Sequence, residues 1–363
     1  MNIYYYANNI YQFSYAIPIY DKIGGTFLVR NRKCLAQFKL FLRGLNRSGE
    51  KTFLNSPKVK LISKQERQEL EGVLIFCSNS ISLKPYKKAT TIFLEHGTGD
   101  KKYGGAKLGK RDPFQYAADK LMHYDYIFTS GKKNLERIKN MGIEIPERKL
   151  IKIGGTRFDE FLLGKYNREQ ELDRLKIKDR SRKNVLYAPT WKFGNGTLSK
   201  YIHTFIKEIT QDYNLIVRTH YHDYKEIAKL KVWAKMKGYK HVYFSNPLDQ
   251  IRNNSFHDFV ASDLMISDIS AVIYEYIIMD KPMILIQHKF EDSHDMPDEL
   301  NAMKYASLYQ EDQSIVEVIK ESFNNTKRTA GFKELMNNCF YFNDGKSADR
   351  AVEFIKELPN EKL

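Results

Sequence analysis

Cysteine is scarce in this chain. Cys34, Cys77 and Cys339 are the only three in 363 residues, they lie far apart, and their number is odd. They form no disulfide framework and match no metal-ligand spacing, which points to a reducing cytoplasm. Long apolar runs are missing as well. No stretch reaches the roughly 20 apolar residues that cross a bilayer. The opening NIYYYANNIYQF lacks the basic segment and apolar core of a secretory leader. There is no solenoid repeat, no low-complexity segment and no recognisable nucleic-acid-binding module.

What is present fits a globular enzyme-sized chain. Hydrophobic residues make up 42%, enough for a sizeable core, and the length suits two ordinary domains. The formal net charge is +15, with 24 Tyr and 22 Phe. Nucleic acid, anionic lipid and a phosphate-rich substrate all suit that balance.

The stretch Ser262–His288, SDLMISDISAVIYEYIIMDKPMILIQH, organises the reading. Leu264–Met265–Ile266 reads as a buried strand, Ser267–Asp268–Ile269–Ser270 as a polar turn, Ala271 to about Met279 as a helix, and Met283–Ile286 as a second buried strand. Asp280–Lys281–Pro282 ends the helix, since proline cannot continue one. Strand, helix and strand make a βαβ unit in a parallel sheet covered on both faces. The turn sits where a strand ends and a helix begins, so free N–H groups and the helix dipole favour an anion there. Asp268 and Ser270 are equally suited to capping that helix.

Taken in order, residues 1 to about 33 predict a strand, a helix and a strand. Residues 34–47, CLAQFKLFLRGLNR, predict a basic amphipathic helix. Its apolar stripe is Leu35, Phe38, Leu42 and Leu45, widened by Leu40 and Phe41. Lys33, Lys39, Arg43 and Arg47 supply cations. Such a helix either packs on its own domain or lies on an anionic membrane surface. Strands follow at Val73–Ser78 and Thr90–Leu94. The second runs into Glu95–His96–Gly97–Thr98–Gly99–Asp100–Lys101–Lys102, a glycine-rich basic loop that is neither the dinucleotide fingerprint nor the P-loop. A His at a strand end beside glycines is a candidate general base. Further strands are Tyr124–Thr129 and Leu150–Ile153, the latter leading to Gly155–Thr156–Arg157–Phe158–Asp159.

Residues 165–184 are highly charged and read as a linker with a first surface helix. A second βα series then begins. Asn184–Tyr187 ends in Ala188–Pro189–Thr190–Trp191–Lys192, Asn214–Val217 in Arg218–Thr219–His220, and His241–Phe244 in Asn246–Pro247. The acidic run Glu291–Glu299 offers Asp292, His294 and Asp295 to a metal, but without fixed ligand spacing it reads as a solvated loop. Ser347–Leu358 predicts a closing helix with Ala348, Ala351, Val352, Phe354 and Ile355 on its apolar face. The expected class is therefore α/β, two Rossmann-like domains with a cleft between their strand ends. The boundaries are residues 1–165, 166–345 and a closing segment 346–363. His96 faces that cleft from one side, and Lys192, Arg218, His220, Asp268 and Ser270 from the other. No carboxylate cluster falls at these strand ends, so cationic side chains rather than a metal are expected to neutralise phosphate charge.

In this order, His96–Gly97–Thr98, Gly155–Thr156–Arg157–Phe158–Asp159, Ala188–Pro189–Thr190–Trp191–Lys192, Arg218–Thr219–His220 and Ser267–Asp268–Ile269–Ser270 through Lys281–Pro282 resemble the CDP-glycerol glycerophosphotransferase family of teichoic-acid primases and polymerases. Three positions depart from the family pattern. Gly99 stands for a usual proline, Ile269–Ser270–Ala271 for an aromatic and two serines, and Tyr221 for a common proline. The resemblance implies a GT-B fold and transfer of a polyol phosphate from a CDP-activated donor to an acceptor hydroxyl, without cofactor. It makes His96 and His220 catalytic. It places Thr190, Lys192, Arg218, Asp268, Ser270, Ala271 and Glu275 at the donor, and Gly97, Thr98, Lys101 and Lys102 at the acceptor. A lipid-linked or polysaccharide acceptor and a peripheral place at the inner membrane face follow as expectations. The alternatives are a GT-B glycosyltransferase using a nucleotide sugar and, from another class, a nucleic-acid-binding protein.

Overall fold

The computed structural model describes residues 1–47, 57–95, 97, 113–191, 196–220, 223, 225–245, 254–287 and 296–359. The chain divides into two compact units. One comprises Met1–His96, Lys102–Leu163 and Cys339–Leu363, and the other Gly97–Lys101 and Gly164–Asn338.

The first unit runs β1 Ile3–Tyr6, α1 Ile17–Ile23, β2 Thr26–Val29, α2 Arg32–Arg47, β3 Lys58–Leu61, α3 Lys64–Gln68, β4 Gly72–Phe76, β5 Ala89–Leu94, α4 Pro113–His123, β6 Tyr126–Thr129, α5 Lys132–Lys139, β7 Leu150–Lys152 and α6 Asp159–Leu162. Its seven strands lie in the order β3-β2-β1-β4-β5-β6-β7, all parallel. The central strands are near-continuous apolar runs because helices cover both faces. Tyr5, Phe27, Val29, Ile75 and Ile92 face one layer, into which Phe38 and Phe41 of α2 pack. Tyr6, Leu28, Leu74, Phe76 and Phe93 face the other, against Leu121 and Tyr124.

The second unit runs α7 Arg168–Leu175, β8 Asn184–Tyr187, α8 Leu198–Asp212, β9 Asn214–Val217, α9 Glu226–Met236, β10 Val242–Phe244, α10 Phe256–Ala261, β11 Leu264–Ser267, α11 Val272–Tyr276, β12 Met283–Ile286, β13 Ser307–Tyr309, α12 Ile315–Asn324 and α13 Thr326–Cys339. Its six-stranded parallel sheet has the order β10-β9-β8-β11-β12-β13. The last helix, α14 Ser347–Glu357, belongs to the first unit, where Ala348, Ala351, Val352 and Ile355 enter the core beside Tyr5 and Ile75. The carboxylate of Asp159 caps it, accepting the N–H groups of Ser347 at 3.1 Å and Ala348 at 2.7 Å.

The organising stretch is a βαβ unit as read. β11 runs one residue further, to Ser267, whose hydroxyl donates to the Ala188 carbonyl at 2.7 Å. α11 tightens into a 3-10 turn over Ile277–Met279, and Asp280 stops it at φ +51° before Pro282. Asp tolerates that left-handed conformation because its short polar side chain bonds locally.

The structure departs from the sequence reading at three points. The apolar stripe of α2 is spent on the core: Phe38 and Phe41 are fully buried and Leu35 and Leu42 pack against them, while Leu40, expected to widen the stripe, is 45% exposed. Residues 165–184 hold the expected helix, α7, but it is more than a linker, because it packs on α10 and buries Leu172 and Glu171. The edge strands β3 and β13 escaped the sequence reading, being short and only partly buried. Lys58 and Lys60 stand exposed on β3, the usual protection of a sheet edge. Of the α2 residues named as membrane cations, the side chains of Arg43 and Arg47 lie outside the described residues, as does that of Leu45.

Candidate functional site

In the second unit, β8 leads outward to β9 and β10 on one side, and β11 to β12 and β13 on the other. Ligands of open parallel sheets bind at the strand carboxyl ends at such a reversal. The two segments that leave β8 and β11 are the two singled out in the sequence: Ala188–Trp191 and Ser267–Ala271.

Asp268 joins them. One oxygen accepts the Thr190 N–H at 2.9 Å, the Thr190 hydroxyl at 2.5 Å and the Ile269 N–H at 2.7 Å. The other accepts the Thr197 N–H at 3.0 Å and the Thr197 hydroxyl at 2.9 Å. Asp268, Thr190 and Thr197 are all buried. The Thr197 hydroxyl also meets the Tyr187 phenol at 2.9 Å, and burial raises that phenol well above its ordinary pKa. Asp268 and Thr190, expected at the donor, are therefore committed to each other. They fix both ends of the loop between β8 and α8. Gly196 sits so close in this knot that a Cβ would stand 1.8 Å from the Thr190 carbonyl oxygen.

Arg218 is buried, and its Nη1 donates to the Asp258 carboxylate of α10 at 2.7 Å. Ser245, at the end of β10, donates to the same carboxylate. The arginine, expected at the donor, is thus a member of an internal ion pair. Two residues on, His220 is half-buried at the end of β9, with its ring 6.1 Å from the Trp191 indole. Ser270 and Ala271 are half-buried at the start of α11, and the Ser270 hydroxyl lies 3.5 Å from the Val272 N–H. Glu275, expected at the donor, is buried.

Lys281, in the family-like Lys281–Pro282 pair, is taken by structure. Its Nζ donates to the carbonyls of Phe259 at 3.1 Å, Val260 at 3.3 Å and Ser262 at 2.6 Å, closing the end of α10. Burial, then the nearby Arg168, brings its pKa down to about 8, with Asp263 acting against them.

In the first unit, β5 ends at Leu94 and leads to Glu95. The Glu95 carboxylate is buried against the Arg137 guanidinium of α5 at 3.2 Å. Burial pushes its pKa up to about 7, opposed by Arg137 and by a hydrogen bond from Asn134. Gly97 has φ +83°, a conformation that only glycine adopts cheaply. His96, Thr98, Lys101, Lys102 and Lys192 lie outside the described residues, as do Asn246, Pro247 and, in the acidic run, Asp292, His294 and Asp295. Among the described residues no group of His, Cys, Asp and Glu is arranged to hold a metal. No described helix is long and apolar enough to cross a membrane.

Sequence reasoning missed Thr197, Asp258 and Ser245. They meet their partners across separations of 71, 40 and 13 residues, so no local pattern announces them.

Two parallel-sheet units that each reverse strand order at the first strand are the paired Rossmann-like domains of the GT-B fold. A solved structure of the wall teichoic acid polymerase TagF, a variant soaked with CDPG, shares the architecture: TM-score 0.67 at 16% identity, covering 98% of this chain and 88% of that one. Residues 60–357 match the family described as CDP-glycerol:poly(glycerophosphate) glycerophosphotransferase, and the chain belongs to that family. It is 24% identical over 242 residues to the teichoic acid glycerol-phosphate primase of Bacillus subtilis (strain 168), covering 65% of this chain and 58% of that protein. It is 26% identical over 287 residues to the teichoic acid ribitol-phosphate primase of Bacillus spizizenii, covering 75% and 70%.

Proposed function

We propose that this protein transfers glycerol phosphate from CDP-glycerol to an acceptor hydroxyl in the synthesis of a cell-surface glycopolymer such as a capsule polysaccharide, releasing CMP. The family match over residues 60–357 carries the reading. The carboxyl ends of β9, β8 and β11 support it, because His220 follows β9 and the N–H groups at the start of α11 follow β11 on neighbouring strands of one sheet. The second unit takes the donor and the first takes the acceptor, a lipid-linked or polysaccharide chain end.

In this scheme His96 accepts the proton of the acceptor hydroxyl. The freed oxygen attacks the β-phosphorus, the bond from that phosphorus to the bridging oxygen breaks, and CMP leaves with the bridging oxygen. His220 and Lys192 neutralise charge on the departing phosphate. Arg218 contributes its field from inside the Asp258 pair. Ser270 and the N–H groups of Ala271 and Val272 receive a donor phosphate oxygen, and the buried Glu275 lies one turn further along the same segment. The excess of cations supports peripheral attachment to the inner, anionic face of the membrane.

Differential scanning fluorimetry with CDP-glycerol, CDP-ribitol, CDP, UDP and UDP-sugars tests this. A ligand at 100 times its Kd stabilises the folded state by about 2.7 kcal/mol, so a rise of several degrees confined to cytidine nucleotides is expected. In a CMP-release assay His96→Ala should abolish turnover and keep the thermal shift. A shift confined to UDP species would replace this reading with a nucleotide-sugar glycosyltransferase. No shift with any nucleotide would end both.

A further inference from the structure

The first unit reverses its strand order at the same place as the second. β1 leads to β2 and β3 on one side, and β4 to β5, β6 and β7 on the other, so the reversal lies between β1 and β4. In the second unit the segments leaving the equivalent strands β8 and β11 carry the donor candidates Thr190, Asp268, Ser270 and Ala271. In the first, the segments leaving β1 and β4 are Ala7–Asn8–Asn9 and Cys77–Ser78–Asn79–Ser80, to which no role has been given.

These segments are tied to one another by hydrogen bonds. The Asn8 N–H donates to the Ser78 hydroxyl at 3.2 Å, and the Ser78 and Ser80 hydroxyls meet at 3.0 Å. The Tyr124 phenol holds the β4 segment still, accepting the N–H groups of Ser80 at 3.1 Å and Ile81 at 3.2 Å and donating to the Ser78 carbonyl at 3.3 Å. Asn79 donates through Nδ2 to the Ala117 carbonyl of α4 at 3.0 Å, which orients its amide. The other end of that amide, Oδ1, is buried and has no hydrogen-bond partner in the protein. A buried carbonyl oxygen without a donor is rare in a folded protein and asks for one from outside.

We infer that the crevice between β1 and β4 is the acceptor subsite, binding hydroxyl groups of a polyol chain end through Asn79 Oδ1, the Asn8 side chain and the Ser78–Ser80 hydroxyl pair. Every one of these groups is neutral. Hydroxyls both donate and accept, so they match amides and serines, whereas phosphate needs donors or cations. The subsite neighbours β5, whose carboxyl end leads into the Glu95–His96–Gly97 segment. The inference rests on the transferase reading above and adds to it which residues choose the acceptor.

The test is isothermal titration of the full chain with a short synthetic oligo(glycerol phosphate), for wild type, Asn79→Leu and Asn8→Ala. The CDP-glycerol thermal shift is recorded on the same samples. Asn8→Ala leaves in place the backbone N–H that Ser78 uses, so it keeps the test open should Asn79→Leu fold poorly. The expected result is at least a tenfold rise in the Kd for the oligomer in each folded variant, with the CDP-glycerol shift unchanged. A normal CDP-glycerol shift together with wild-type oligomer affinity in both variants would overturn the subsite alone. A wild-type protein that gives no CDP-glycerol shift would take down the transferase reading, and the subsite with it.

Discussion

Asp268 accepts from the N–H and hydroxyl of Thr190, from the N–H and hydroxyl of Thr197 and from the Ile269 N–H. A carboxylate offers about four lone-pair sites, so little capacity remains for a ligand. A nucleotide-binding role predicts that its loss weakens donor affinity and leaves the fold intact. A structural role predicts the reverse order of effects, because three buried backbone N–H groups lose their partner. Leaving buried donors unsatisfied costs ~1–3 kcal/mol each before relaxation. Asp268→Ala should therefore lower the free energy of unfolding by about 3 kcal/mol or more, read as a lower urea midpoint with unchanged m. An Asp268→Ala protein that unfolds like wild type but no longer binds CDP-glycerol would restore the ligand role. Sequence spacing could not decide this. The turn Ser267–Asp268–Ile269–Ser270 was legible, but whether its carboxylate looks outward or inward depends on Thr190 and Thr197, 78 and 71 residues away.

At the scale of the element, α2 shows what an amphipathic pattern can and cannot say. The spacing of Leu35, Phe38 and Leu42 announced one apolar face correctly. A face of that kind is equally fit for a sheet or a lipid surface, and the fold chose the sheet, stacking Phe38 on Phe41 at a centroid distance of 5.8 Å and tilting it against Phe27 at 5.0 Å. Phe38→Ala should cost about 3–5 kcal/mol, the usual range for deleting a buried aromatic ring. Leu40→Asn, on the exposed side, should stay within about 0.5 kcal/mol of wild type. Chemical denaturation of the two variants side by side checks the assignment, and equal losses would mean that the helix is turned differently. The same logic explains α7. Charge density suggested a linker, yet Glu171 is buried with His257 at 2.9 Å, and such a pair is invisible until α7 meets α10. Fully buried strands were the most legible elements, since β4, β5, β8, β9 and β11 are mostly apolar and buried throughout for want of a solvent face.

Across the whole molecule the first unit is discontinuous in sequence. Its sheet is complete by Lys152, yet α14, almost two hundred residues later, returns to cover it. Gly131 shows how closely the returning segment packs, since a Cβ there would stand 1.8 Å from the Cys339 carbonyl oxygen. Asp159 supplies the cap that α14 lacks in its own sequence, where Lys346 precedes the first turn. The closing helix was readable from its apolar face, but the sheet it closes was not, because periodicity gives a face and never its destination. Deleting residues 346–363 should therefore act on the unit that is remote in sequence. Hydrogen exchange followed by mass spectrometry should show β1, β2 and β4 losing protection, since Tyr5, Phe27 and Ile75 lose the cover of Ala348, Val352 and Ile355. Strands β8, β9 and β11, adjacent in sequence to neither cut nor cover, should keep theirs. Protection lost first in β8 and β11 instead would mean that α14 closes the other sheet, and would redraw the division of the chain.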